Sequence, residues 1–241
     1  MSGTQVPARS RVAFVGSELA LLSFGSACMD ILSYRELGAV FTSAMTGNTA
    51  LLGLELGEGN LLAISRNISA LAGFLLGLLW GAAMLRHEQG KSGWSAAITW
   101  TLAVEFLLLV AFAALWVLGG GPDAEPTRYG LIGVSGLAMG IQSAAAHTIG
   151  VPGITTTYFT GTITNIIVGA VARTSTRREP PKPGARKLRW PVGAFFAYVA
   201  GAAVTGLLTS RAGVPPVLLT GLPALVVLIV LSAAIWDARR P

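Results

Sequence analysis

The sequence predicts an all-α integral membrane protein in which six transmembrane helices form two three-helix repeats, each with a broken or re-entrant Thr-Gly segment. Three observations predict it. Hydrophobic residues make up 53% of the chain and charged residues only 12%, about half the charged share of an ordinary soluble domain. Six apolar runs reach the roughly 20 residues that a helix needs to cross the hydrocarbon core. The stretch 40–56, VFTSAMTGNTALLGLEL, is repeated in plan 114 positions later by 154–172, ITTTYFTGTITNIIVGAVA, and an internal repeat of this kind governs how everything else is read.

The first run, 12–34, follows Arg9 and Arg11 as the core of a leader peptide would. It is long and lacks a convincing small-residue cleavage site, so it is read as the first spanning helix. The others are 61–85, 95–118, 130–149, 190–210 and 216–236. The Thr-Gly segments fall between the first and second runs and between the fourth and fifth. The chain 1–241 thus reads as a single membrane domain, with repeat 1 over about 12–118, repeat 2 over about 130–236, and a basic linker at 173–189.

Orientation follows from the basic residues, since short cytoplasmic loops are rich in Lys and Arg. If both Thr-Gly segments re-enter, 13 of the 17 lie on one side, including the seven from Arg173 to Arg189, and both termini are cytoplasmic. If both segments cross, giving eight spans, Arg86 and Lys91 change sides with Arg66 and Arg128 and the division is again 13 to 4. Charge therefore leaves six and eight spans open. The acidic loop 119–129 and the inverted-repeat plan of many transporters favour re-entry.

The net charge of +6 does not point to nucleic acid, because the basic residues sit in loops between apolar runs. The one cysteine, Cys28, excludes an internal disulfide and reads as a small packing residue. His87 and His147 are isolated, and no cluster has metal-ligand spacing. There is no nucleophile motif, Walker loop or dinucleotide fingerprint. An enzyme is not expected, nor a catalytic residue, metal or cofactor. Gly73, Gly77, Gly81, Gly133, Gly136 and Gly140, with Gly201 and Thr205, would let helices approach closely.

Irregular backbone at membrane depth must be buried in protein or line a wet cavity. Glycine permits the turn and threonine would cap the following helix, leaving a positive helix end for an anion or carbonyl oxygen. Thr46, Gly47, Asn48, Thr160, Gly161 and Thr162 form that pair of candidate ends. Ser23, Ser26, Asp30 and Ser33 share one face of the first helix, and Gln142 falls near the place of Asp30 in the second half once a two-residue gap is allowed. Intramembrane carboxylates are functional candidates by default, so Asp30 and Glu105 are assigned to ion or proton coupling, and Gln142 to substrate binding with the two Thr-Gly ends. The plainer readings are that Asp30 lies at the surface or pairs with Arg35, that Glu105 is a hydrogen-bonded structural group, and that the Thr-Gly residues only cap and pack. Glu18, near a helix end, is expected to snorkel.

Residues 25–30 with VFTSAMTGNTALLGL, GLAMGIQSAAA and TTTYFTGTITNI resemble the YoaK-like family of bacterial multi-pass inner-membrane proteins, a domain family of unknown function. The likeness covers about residues 16–236, and its motif residues look like Asp30, Thr46, Gly47, Asn48, Gly140, Gln142, Thr160 and Gly161 here. Ser143 departs from the asparagine usual after the glutamine. The resemblance implies a protein of about six helices and brings no substrate.

The functional expectation is a secondary transporter or permease for a small solute, bound between the two broken-helix ends with a coupling proton or cation, the halves rocking about the site. The rivals are a non-transporting scaffold or sensor and a membrane-embedded lipid enzyme. The partners are the lipid bilayer and that solute; a homo-oligomer is left open.

Overall fold

The computed structural model describes residues 8–88, 93–149 and 189–239. Among these the fold is all α, without a strand. The helices are α1 (Ala8–Glu36), α2 (Met45–Glu58), α3 (Leu61–Met84), α4 (Ala96–Leu118), α5 (Glu125–Ile149), α6 (Arg189–Ser210), α7 (Pro216–Leu219) and α8 (Gly221–Ala238). Among the described residues, six stretches are long and apolar enough to cross a membrane: Phe14–Glu36, Leu61–Met84, Ala96–Leu118, Glu125–Ile149, Trp190–Ser210 and Pro216–Ala238. The second Thr-Gly segment and nearly all of the basic linker lie outside the described residues.

Local chemistry sets the helix ends. Ser95 caps α4, its Oγ accepting from the Ile98 N–H at 3.4 Å, and Asn60 caps α3 through the Ala63 N–H at 3.3 Å. α5 begins five residues before the run read from hydropathy, because Glu125 complements the helix dipole and Pro126 belongs in a first turn, where its missing N–H costs nothing. The last span is two helices rather than one. Pro223 cannot donate to the Leu219 carbonyl and its ring crowds it, and the chain breaks there between α7 and α8.

Contacts at the helix ends fix the directions. At the base, where α1 begins, the rings of Phe14 and Trp94 meet edge-on at 6.0 Å, and the Trp190 indole lies across Gly16. Trp94 and Ser95 also share a cavity there with Ala238 and Arg239. At the top, Arg66 pairs with Glu125 at 2.6 Å, Ser65 Oγ lies 2.5 Å from the Tyr129 hydroxyl, and the Arg66 guanidinium rests on Gly38. Helices α1, α4 and α6 therefore run from base to top, and α3, α5 and α8 run back. The chain leaves α1 and enters α3 at the top, so residues 37–60 make no net crossing.

Two helix seams dominate the packing. Along α3 and α5 the backbones touch: a Cβ at Gly73 would stand 2.8 Å from the Gly133 carbonyl oxygen, and one at Gly136 would stand 3.0 Å from that of Ala70. At Gly77 and Gly140 a Cβ would overlap the Leu137 and Phe74 carbonyls outright. The second seam joins α1 to α6, with Gly201 against the Phe24 carbonyl and Cys28 Sγ 3.6 Å from the Gly201 oxygen. Close backbone approach through small residues is how helices associate where lipid removes the hydrophobic drive. Helix α4 packs mainly on α5, and α8 on α1 and α4.

Candidate functional site

The polar interior is built on α1. Ser23, Ser26, Asp30 and Ser33 fall at helical spacing and all are buried. Ser23 and Ser26 donate to the Leu19 and Leu22 carbonyls one turn back, at 2.9 and 3.0 Å, a local bond that keeps a hydroxyl satisfied within a helix. Asp30, fully buried, collects the largest set of partners. Its Oδ1 accepts the backbone N–H groups of Thr42 and Ser43 at 2.8 and 2.7 Å, and the Thr42 hydroxyl at 3.3 Å. Its Oδ2 accepts the Ser43 hydroxyl at 2.6 Å and the Tyr198 hydroxyl of α6 at 2.7 Å. The plain reading with Asp30 at the surface or on Arg35 fails: Arg35 is exposed and Asp30 is not.

The chain reaches Asp30 by doubling back. Beyond α1, Gly38 and Ala39 both take positive φ, 93° and 60°, and Ala39 N–H bonds to the Tyr34 carbonyl at 3.0 Å. That left-handed pair turns the chain inward, to a level six residues below the end of α1, about 9 Å at 1.5 Å per residue. Asn48 then holds the turn. Its Oδ1 accepts the Phe41 N–H at 2.8 Å and its Nδ2 donates to the Phe41 carbonyl at 2.5 Å, so one side-chain amide pairs with both backbone groups of a residue that belongs to neither helix. Phe41 also stacks on Tyr34 at 5.0 Å and carries Gly47 against its ring edge.

The break therefore lies at 37–44, a few residues before Thr46-Gly47. Helix α2 starts at Met45, its N-cap Ala44 supplies no side-chain bond, and Thr46 is exposed. Thr46 is not the cap that the sequence pattern suggests, because Asp30 and Asn48 satisfy the turn from below. The N–H groups of Met45, Gly47 and Asn48 already bond to the Ser43 and Ala44 carbonyls. Gln142 of α5 donates to Ser26 Oγ at 2.6 Å and to the Leu22 carbonyl at 3.3 Å, which ties α5 to the α1 stripe one turn from Asp30. Thr160, Gly161 and Thr162 lie outside the described residues.

Glu105 stands apart from this network. It sits in the inward stripe of α4 with Ile98, Thr101, Leu102, Leu109 and Phe112, is fully buried, and neither carboxyl oxygen meets a donor among the described residues. The reading of Glu105 as a hydrogen-bonded structural group finds no partner there. Glu18 is also buried, at 4% exposure, with Oε2 unpartnered among the described residues; it does not snorkel, because Trp190 and α6 cover that end of α1. No group of three or more His, Cys, Asp or Glu side chains with metal-site geometry occurs among the described residues.

The sequence motifs and this fold meet in one set of relatives. A family model described as "Protein of unknown function (DUF1275)" matches residues 19–233. The chain belongs to the DUF1275 family. It is also similar to the "UPF0700 transmembrane protein YoaK" of Bacillus subtilis (strain 168), 31% identical over 195 residues that cover 81% of this chain and 84% of the relative. No solved structure matches. As a DUF1275 protein with six helices able to span, it is a multi-pass membrane protein in contact with the bilayer.

Sequence reasoning missed Tyr198, Thr42 and Ser43 as partners of Asp30. Tyr198 shows only as a hydroxyl in the middle of an apolar run, and Thr42 and Ser43 carry no signal beyond their own hydroxyls.

Proposed function

We propose that this membrane protein is a secondary transporter or permease for a small solute, with Glu105 as its proton site and the turn at 37–44 as its fixed polar wall. The observation that carries the reading is Glu105, a carboxyl enclosed within the bundle with no donor among the described residues. Burying a charge without a partner is costly, so gain or loss of one proton there would bias how the surrounding helices pack. Asp30 contributes differently from the sequence expectation. With five donors it has no oxygen turned to a ligand in this state, and its part is to hold the turn that Gln142 and Tyr198 approach from the other side. On this reading residues 37–58 re-enter from the face opposite the termini, which are cytoplasmic.

The rocking unit also changes. The α3–α5 and α1–α6 seams each join one helix from either half of the sequence, so the halves cannot slide past each other without opening both. Motion would pass between α3, α4 and α5 on one side and α1, α6 and α8 on the other, across the Gln142–Ser26 bond.

The saturation of Asp30 and Asn48 favours a second reading, a non-transporting scaffold whose polar turn is architectural. Proteoliposomes that enclose a pH-sensitive dye, under a potassium–valinomycin potential, separate the two. Ammonium, monocarboxylates, amino acids and sugars are added outside in turn. Transport predicts that one class raises proton flux above empty vesicles, and that Glu105→Gln, close in shape, removes the rise while thermal unfolding is unchanged. If no class raises the flux, or Glu105→Gln carries it undiminished, proton-coupled transport through Glu105 is wrong.

A further inference from the structure

The base of the bundle carries a cavity of about 440 Å³ between the start of α4 and the end of α8, within the roughly 300–1,000 Å³ of small-molecule sites. Its walls are apolar: Trp100 and Ala103 from α4 face Leu231 and Ala234 from α8, and alanines stand where larger side chains would fill the gap. From Ala96 to Ala103 it extends about 10 Å inward at 1.5 Å per residue, most of the way through one leaflet's hydrocarbon. Polar groups gather at its mouth. Trp94 is fixed by a 2.9 Å bond from its Nε1 to the Thr99 hydroxyl, and Arg239 lines the opening with no ion pair among the described residues. Asp237 does not neutralise it, since two residues turn the helix by about 200° and Asp237 does not line the cavity.

From this geometry we infer that the α4–α8 cavity binds one anionic phospholipid, with an acyl chain between Trp100, Ala103 and Ala234 and the phosphate on Arg239. Each feature matches a part of that molecule: an apolar slot open to the side for the chain, indoles at interface depth, and a guanidinium without an ion pair among the described residues where the headgroup lies. An apolar solute would leave the arginine unused, and a soluble anion would leave the slot unused.

Tryptophan quenching by brominated lipids tests it. The full chain is reconstituted in vesicles with brominated phosphatidylglycerol or brominated phosphatidylcholine, and Trp100→Phe identifies the signal from the cavity. The expected result is that phosphatidylglycerol quenches Trp100 with about fivefold higher apparent affinity, the preference that one basic residue near the surface gives. Arg239→Gln abolishes the preference. Ala103→Phe, at a half-buried position that lines the cavity away from both seams, abolishes the preference, while Trp100, 72% exposed, is still quenched by both lipids and thermal unfolding is unchanged. The inference is overturned if wild type shows no preference, if Arg239→Gln keeps it, or if no brominated lipid quenches Trp100, which would mean that protein covers the cavity.

Discussion

Asp30→Ala is the substitution that best separates a bracket from a coupling group. It strands the N–H groups of Thr42 and Ser43 in a buried place, together with three hydroxyls that can turn elsewhere. A buried donor left without a partner costs about 1–3 kcal/mol, so the two amides alone give about 2–6 kcal/mol. Asp30→Asn should cost less, about 1–3 kcal/mol. Its remaining oxygen still accepts both amides, and its new NH₂ can donate to the Ser43 and Tyr198 hydroxyls. Tyr198→Phe removes one hydrogen bond to a carboxylate, about 1.5–3 kcal/mol. The turn can open while the bundle stays folded, so hydrogen exchange at the Thr42 and Ser43 amides in detergent is the assay. An opening made easier by about 4 kcal/mol speeds their exchange about a thousandfold. If the loss is instead shared by the whole bundle, the midpoint of thermal unfolding falls by roughly 8–16 °C. The predicted order of destabilisation is Asp30→Ala above Asp30→Asn, with Tyr198→Phe perturbing the same two amides. Unchanged protection of those amides in Asp30→Ala would refute the bracket.

Gly77→Leu forces a side chain into the Leu137 carbonyl and should part α3 from α5 at a cost of at least about 1–3 kcal/mol, seen as lost thermal stability and as cross-linking lost between cysteines placed across that seam. Ala39→Gly relieves a left-handed residue and should stabilise by up to about 1 kcal/mol, partly cancelled by glycine's extra freedom in the unfolded chain; a fall of more than 1 kcal/mol would contradict the turn geometry. Arg66→Ala breaks the pair with Glu125, whose side chain is 40% exposed, so the direct loss should be no more than about 1 kcal/mol and shrink in high salt; a larger, salt-independent loss would show that the contact of Arg66 with Gly38 matters more than the charge.

The spans were legible because a 20-residue apolar run has few alternatives. Their count was not, because Arg66, Arg86, Lys91 and Arg128 trade places without changing the charge balance; it takes tertiary contacts, such as Phe14 with Trp94 and Arg66 with Glu125, to order the ends. Asp30 and Gln142 were singled out by type and spacing, and both prove buried on the interior face. What each one touches was hidden, since it depends on where the chain doubles back. That point was read at Thr46-Gly47, the conventional turn and cap pair, whereas the left-handed residues are Gly38 and Ala39, and an alanine at φ 60° leaves no sequence signal. The second Thr-Gly segment keeps its sequence reading alone.

The α1–α6 seam also bears on how the chain is made. α1 ends at residue 36 and its partner at residue 210, so at about 5–20 residues per second α1 must wait roughly 10–35 s for α6. Meanwhile its serines and Asp30 face the bilayer or the insertion machinery without Gln142 and Tyr198. Neither half should mature by itself: a chain cut in the loop 119–124 should yield two fragments that are each degraded when made separately and that persist only when made together, as interlocked products of one assembly step.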